Sequence, residues 1–397
     1  MDPIRNPYAP GAGQRPPELA GRDDVLRQFE ITVERIGHGR PERSLVLTGL
    51  RGTGKTVLLN ALRGVAVGRA WGTGKWEARA DQPIRLPLAQ AAHAALRELA
   101  ARHRDPDRVD EAMGVLTSFA LRASADQRRG VRWRPPADVR ATRGRGDSGD
   151  LELDLIELFE DIGALASDLG VGIALFVDEM QDIATDELAA LCGACHEMGQ
   201  RGAPVLVVGA GLPHLPATLA ASKSYAERLF CYIVVDRLSK ADADRALRVP
   251  AATAEVDYDT AALARLYELT DGYPYFVQAY GKVTWDNAVS SPIAVADVAH
   301  AGPIAESELA VGFFGSRYER ATPAERDYMR AMADLTESSG EAAVATAEVA
   351  RRLDRRAQSL SPARDGLIKK GLVFAEGRGL VRFTVPHFGR FLRNQRA

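Results

Sequence analysis

Cysteine is scarce: three residues in 397 cannot build a disulfide framework, and such usage fits a reducing compartment. Long apolar runs are absent too, none approaching the eighteen or so residues that a membrane span needs. The chain begins Met1-Asp2-Pro3, without the charged-then-apolar order of an export signal. These absences predict a cytoplasmic protein with no membrane partner. The seven histidines show no H-E-x-x-H or comparable spacing, so metalloenzyme chemistry has no support. No internal repeat is evident.

What is present is ordinary in bulk and uneven in detail. A composition of 46% hydrophobic and 26% charged residues supplies enough apolar side chain for real cores and excludes disorder of the whole chain. The length predicts roughly two or three domains. The net charge of -2 conceals an asymmetry: residues 351–397 carry twelve Lys or Arg against three acids, +9, which leaves -11 for the rest. That split points to a polyanion partner at the C-terminal end.

Residues 1–20 are a Pro-rich arm, with five prolines between positions 3 and 17, expected to lie extended over a neighbouring surface. An α/β core is expected over 21–236. A first helix runs from Asp23 to Ile36, and apolar runs at Ser44–Thr48, Ile84–Leu88, Ile173–Val177, Val205–Val208 and Cys231–Val235 alternate with helical stretches. The alternation predicts a parallel sheet with helices on both faces. Residues 101–149, with eleven arginines and seven acids, are expected to be a solvated, partly mobile insertion around a weak helix at Met113–Leu121. An all-α lid is expected over 237–320, and a winged helix-turn-helix over 321–397.

The chemistry concentrates at Gly49-Leu50-Arg51-Gly52-Thr53-Gly54-Lys55-Thr56, a full match to G-x-x-x-x-G-K-T with an apolar strand before it and a helix after. Glycines let successive backbone N–H groups point at phosphate oxygens without a Cβ in the way. Gly49, Arg51, Gly52, Thr53, Gly54, Lys55, Thr56 and Val57 are therefore the expected contacts of ATP. Lys55 reaches its β- and γ-phosphates, and the Thr56 hydroxyl sits on Mg²⁺ at a helix N-terminus. Leu175-Phe176-Val177-Asp178-Glu179 is a buried strand ending in two acids. Asp178 is expected to hold the metal, and Glu179 to orient and activate the attacking water.

These motifs resemble those of AAA+ P-loop ATPases of the origin-recognition-like and STAND, or archaeal-type ATPase, branch, and the likeness spans nearly the whole chain. It rests on Gly21-Arg22-Asp23 before the first helix, the two Walker elements, Val208-Gly209-Ala210-Gly211-Leu212-Pro213, Tyr225-Ala226-Glu227-Arg228-Leu229-Phe230 and Gly272-Tyr273-Pro274. The resemblance implies that Arg22, Tyr273 and Pro274 pack on adenine and ribose. It also implies that Arg228 is an arginine finger or sensor reading the γ-phosphate across a subunit boundary of an ATP-bound homo-oligomer; a surface ion pair with Glu227 or a lid acid is the competing role. The chain departs from the pattern at Gly209-Ala210-Gly211, which offers no sensor side chain, and the lid lacks the usual arginine. Slow or partner-dependent hydrolysis, and a switch role, follow from those departures.

Two decoys fall away. Cys192-Gly193-Ala194-Cys195-His196 has the C-x-x-C-H form of haem attachment, but Leu188, Leu191, Cys192 and Cys195 share one apolar helical stripe, the mark of buried structural cysteines. Gly72-Thr73-Gly74-Lys75 echoes a phosphate loop with Arg69 where the first glycine belongs, and is expected to be a turn.

The basic end divides into helices at Pro323–Leu335, Thr346–Leu353 and Ser359–Gly371, then a hairpin with its turn at Glu376–Gly379. Arg351, Arg352, Arg355, Arg356, Arg364, Lys369 and Arg378 stand where duplex DNA would be contacted. The alternative is a winged helix that serves as a protein contact for an effector or as an autoinhibitory cap. An ATP-sensing transcription factor without turnover is a third reading, disfavoured by Glu179.

Overall fold

Short runs of β-branched and leucine side chains pair into a parallel sheet in the computed structural model, which describes residues 1–103, 106–126, 140–336 and 343–395. The chain folds as two units, one of Arg22–Thr48 with Lys55–Val234, the other of Met1–Gly21, Gly49–Gly54 and Val235–Ala397.

Among the described residues the sheet of the first unit contains β1 (Ser44–Thr48), β2 (Gly72–Glu77), β3 (Ile173–Asp178), β4 (Val205–Gly211) and β5 (Phe230–Val234) in the order β2-β3-β4-β1-β5. Every residue of β1, β3 and β4 is buried. Because successive side chains alternate between faces, both faces are covered. The helices of this unit are α1 (Asp23–Gly37), α2 (Lys55–Gly68), α3 (Arg85–Arg102), α4 (Pro106–Asp126), α5 (Leu151–Asp168), α6 (Thr185–Arg201), α7 (Leu215–Ser222) and α8 (Ala226–Leu229).

One strand is not where the apolar runs predict it. Ile84–Leu88 opens α3, and the strand is Gly72–Glu77, the segment expected to be a turn. Glycine explains the exchange. A Cβ at Gly72 would stand 2.7 Å from the Ala95 carbonyl oxygen, and one at Gly74 would overlap the Ala91 carbonyl, so α3 lies on bare strand backbone. The small buried face Ala91, Ala92 and Ala95 permits the same approach. As an edge strand β2 needs its polar backbone answered; Glu98 of α3 accepts from the Thr73 N–H at 2.9 Å and from its hydroxyl at 2.8 Å.

The expected insertion also differs from its description. Val109, Met113, Leu116 and Phe119 of α4 are buried in the same hydrophobic cluster as β3 and α5, so this helix belongs to the core. Trp133, Pro135 and Pro136 lie outside the described residues.

The second unit begins its helices with α9 (Lys240–Thr253), α10 (Thr260–Thr270), α11 (Pro274–Asn287) and α12 (Val295–Leu309), then a π-helical turn at Ala310–Gly315 and α13 (Ser316–Glu319). It continues through α14 (Pro323–Leu335), β6 (Val344–Ala345), α15 (Thr346–Arg352), α16 (Ser361–Lys369), β7 (Val373–Gly377), β8 (Leu380–Phe383) and α17 (Phe388–Asn394). Strands β6, β8 and β7 form an antiparallel sheet in that order. The start of α14 is fixed by its sequence: Pro323 at the first turn, and a capping box in which Thr322 and Glu325 bond each other's backbone. One continuous hydrophobic cluster runs from Leu238 through Phe276 and Phe314 to Leu392.

The Pro-rich arm is tied to this same unit. Asn6 donates to the Lys282 carbonyl at 3.0 Å and to Asp286 at 2.7 Å, and Trp285 donates to the Asp2 carbonyl at 3.0 Å. Tyr8, buried, donates to the Leu247 carbonyl at 2.7 Å and accepts from Tyr258 at 2.8 Å. Burial, ahead of the neighbouring Tyr258, pushes the Tyr8 hydroxyl far above the usual phenol range, so it stays protonated. Tyr8→Phe leaves two buried polar groups to find new partners; a loss of roughly 1–3 kcal/mol in denaturant unfolding is expected, with no change of secondary structure by circular dichroism.

Candidate active site

In the first unit, α2 begins at Lys55, whose side chain is buried although the residue is charged. A buried cation at a helix N-terminus is unfavourable by itself, and the position favours an anion. Thr56 and Val57 follow at half-buried positions. The Walker B strand β3 delivers Asp178 at its last residue, buried, and Glu179 just beyond it in the left-handed conformation with φ 51°. A non-glycine residue held there is strained and costs on the order of 1–3 kcal/mol. The strain turns the chain sharply after Asp178, whose Oδ1 accepts the Glu179 N–H at 3.0 Å.

Gln181, which the motifs do not single out, organises this pair. Its side-chain amide donates to Glu179 Oε2 at 2.6 Å, and its oxygen accepts the Leu212 N–H at 3.0 Å beyond the end of β4. It thus ties the Glu179 carboxylate to the neighbouring strand. A Cβ at Gly211 would stand 2.6 Å from Leu215 Cδ2 and 2.7 Å from Gln181 Oε1, and one at Gly209 would overlap Met180 Sδ. The missing sensor side chain therefore has a steric cause: that space holds Met180 and Gln181.

Lys75 is a second residue the motifs misjudge. Standing on β2, it donates to Asn60 Oδ1 at 2.7 Å, with its Nζ 4.0 Å from Asp178 Oδ2. Burial holds its ammonium below the usual lysine range, against the opposing pull of Asp178. Arg228 lies on α8, exposed, and makes no ion pair among the described residues. Arg22 is the residue before α1. Cys192 and Cys195 are buried on α6 as free thiols, and burial pushes Cys192 up to about 11, consistent with a structural role.

In the second unit lies the glycine loop Gly49–Gly54. Gly52 and Gly54 take φ values of 88° and 90°, a region that L side chains rarely adopt. A Cβ at Gly54 would meet nothing within 4 Å, whereas one at Gly52 would stand 2.9 Å from the Tyr273 ring. Pro274 begins α11 with Tyr273 just before it, and the Tyr273 ring packs against the loop at Gly52. Thr53 Oγ1 donates to the Leu50 carbonyl at 3.0 Å. The Arg51 backbone N–H donates to the carbonyl of Thr384, at the end of β8, at 3.0 Å. The Arg51 guanidinium lies against Gly371, where a Cβ would stand 2.8 Å from its Nη2.

Each unit by itself offers groups of the kind a magnesium nucleotide takes. The loop has bare backbone at Gly52 and Gly54, the chain continues into a buried cation at Lys55, and Asp178 provides an oxygen donor of the kind Mg²⁺ takes.

Of the basic residues of the C-terminal segment, Arg351, Arg352 and Arg364 are paired with Glu348, Asp334 and Asp365 at 3.5, 2.8 and 3.3 Å. Arg355, Arg356, Lys369 and Arg378 are exposed and make no ion pair among the described residues.

Residues 18–208 match the AAA ATPase domain family, and residues 311–392 match a Domain of unknown function (DUF8462). No curated protein matches the chain. Among solved structures the chain is similar to the Walker-type ATPase PABY2304 of Pyrococcus abyssi, with 14% identity and a TM-score of 0.59, covering 96% of this chain and 97% of that one. It is also similar to the ORC1 protein of Aeropyrum pernix in complex with DNA, at 16% identity, TM-score 0.45 and 96% and 94% coverage. A third is the RuvB Holliday junction branch migration motor of Thermotoga maritima, at 16% identity, TM-score 0.43 and 96% and 99% coverage. The first of these likenesses is one of fold. Taken with the parallel sheet, the glycine loop and the Asp178–Glu179 pair, the match over residues 18–208 supports an AAA+ P-loop ATPase.

Proposed function

We propose that the protein binds and hydrolyses Mg-ATP, and that its nucleotide state controls oligomerisation and the engagement of duplex DNA by the C-terminal unit, read as a basic winged helix. The observation that carries the switch is the hydrogen bond from the Arg51 N–H to the Thr384 carbonyl. A loop that must order around phosphates is held by the same unit that carries Arg355, Arg356, Lys369 and Arg378. Any rearrangement of Gly49–Gly54 on binding nucleotide changes a contact of the C-terminal unit.

In this reading Lys55 and the loop N–H groups hold the triphosphate, with Arg22, Tyr273 and Pro274 toward its base and sugar. Thr56 and Asp178 hold Mg²⁺, which supplies charge neutralisation of the phosphates. Glu179 takes the proton of the attacking water. Gln181 fixes the plane of that carboxylate by occupying Oε2. The exposed Arg228 is suited to complete the site of a neighbouring copy, a cation worth several orders of magnitude in rate where it reaches a transferring phosphoryl group.

Lys55→Ala is expected to abolish binding of a fluorescent ATP analogue. Glu179→Gln should bind it normally and hydrolyse ATP roughly a hundredfold or more slowly. Gln181→Ala should bind normally and turn over about tenfold slowly, the effect of one lost orienting hydrogen bond. Wild-type protein that binds no ATP with magnesium ends the proposal.

A second reading, a STAND-type signalling switch whose winged helix recruits a protein effector or acts as an autoinhibitory cap, is favoured by the internal pairing of Arg351, Arg352 and Arg364. Duplex DNA separates the two. The first expects a mobility shift that weakens steeply with salt and is lost in Arg355→Glu with Arg356→Glu; absence of a shift at low salt favours the second.

A further inference from the structure

The second unit contains a cavity of about 280 Å³ that no part of the nucleotide chemistry uses. Its walls come from α11, the end of α12, the π-helical turn and α17. Phe276, Tyr280, Phe314 and Phe391 line it, with Phe314 and Phe391 stacked at 5.2 Å and His387 packed 5.3 Å from Phe276. Two uncommon backbone features coincide there. The π-helical turn supplies Ala310 and Phe314, and His387 stands in the left-handed region at φ 60°. Single π turns concentrate at functional sites, and a strained non-glycine residue persists only where the surroundings hold it.

Arg390 is the cationic group that lines this cavity. Arg390 pairs with Glu306, and Tyr280 and the amides of Asn394 and Gln395 line the cavity beside it. Glu306 is the one carboxylate in the lining, and its charge is already taken by Arg390. Both partners of that pair are nearly half exposed, so the pair is weak and open to exchange. A ligand carboxylate can take the guanidinium fork in place of Glu306 with the same geometry. The volume falls just under the roughly 300 Å³ at which drug-sized sites begin, which suits a bicyclic ring.

We infer that this cavity is an effector site for a planar aromatic carboxylate, whose ring lies among Phe276, Phe314 and Phe391 and whose anion is held by Arg390. A ligand there touches α11, α12 and α17 at once and so stiffens the unit that carries the glycine loop and the basic residues.

The test is isothermal titration of the full chain with 2-naphthoate and with its neutral counterpart 2-naphthol. The expected result is saturable one-site binding of the carboxylate, weakened about tenfold or more by Arg390→Gln through loss of a charge-assisted bidentate contact, while binding of the alcohol is unchanged. Ser307→Trp, a substitution at an exposed lining position, should block both by filling the mouth without touching the core. Lys55→Ala should leave both intact, which separates this site from the nucleotide loop. Absence of saturable binding, naphthoate affinity indifferent to Arg390→Gln, or binding that survives Ser307→Trp overturns the inference.

Discussion

The constraint on which the rest depends is the backbone of Gly49–Gly54. It has to leave β1, reverse, and re-enter a helix at Lys55. That path is open only to glycine at positions 52 and 54, where φ lies near 90°. The loop is therefore intrinsically soft, and something must hold it. Tyr273 packs over Gly52, and the Thr384 carbonyl accepts the Arg51 N–H. Both come from the half of the chain that follows the core sheet. One short segment thus carries both the glycine-rich sequence of a phosphate loop and a backbone contact to the C-terminal residues.

Much of the fold is legible in the sequence because burial and local chemistry agree. Ile173–Asp178 is apolar at every position until its closing acid, as a strand buried on both faces must be. Thr322, Pro323 and Glu325 fix the start of α14 through the capping box. The exception is instructive. β2 reads Gly-Thr-Gly-Lys-Trp-Glu, a pattern with no apolar run, and its identity as a strand comes from α3 pressing on Gly72 and Gly74. Ile84–Leu88 has the composition of a strand and becomes the first turn of a helix. Short apolar runs do not separate the two states, and tertiary packing decides.

The candidate site divides the same way. Lys55, Thr56, Asp178 and Glu179 are visible because a motif fixes their spacing. Gln181 and Lys75 are not, because what matters about them is reach across strands: Gln181 to the Leu212 N–H, Lys75 to within 4.0 Å of Asp178. The one signal that could have found Gln181 lies in the glycines. Gly209 and Gly211 end a strand where a polar sensor is expected, and a backbone stripped of side chains at two alternate positions implies that something else fills the space.

That substitution bears on how the proposed ATPase would be controlled. A sensor side chain projecting from β4 would report on phosphate directly from the sheet. Here β4 is bare at that end, and the link between the end of that strand and Glu179 is the Gln181 side chain, which bonds the Leu212 N–H with its oxygen and the carboxylate with its amide. A planar amide locked at both ends holds Glu179 in place but offers little response of its own. In the proposed reading, sensitivity to the γ-phosphate then falls to groups outside this strand. Arg228, exposed and without an ion pair among the described residues, and the loop held through Arg51 are two such groups the chain provides. In the proposed reading one depends on a neighbouring copy and the other on the C-terminal residues, so slow turnover in an isolated protomer is what that reading expects.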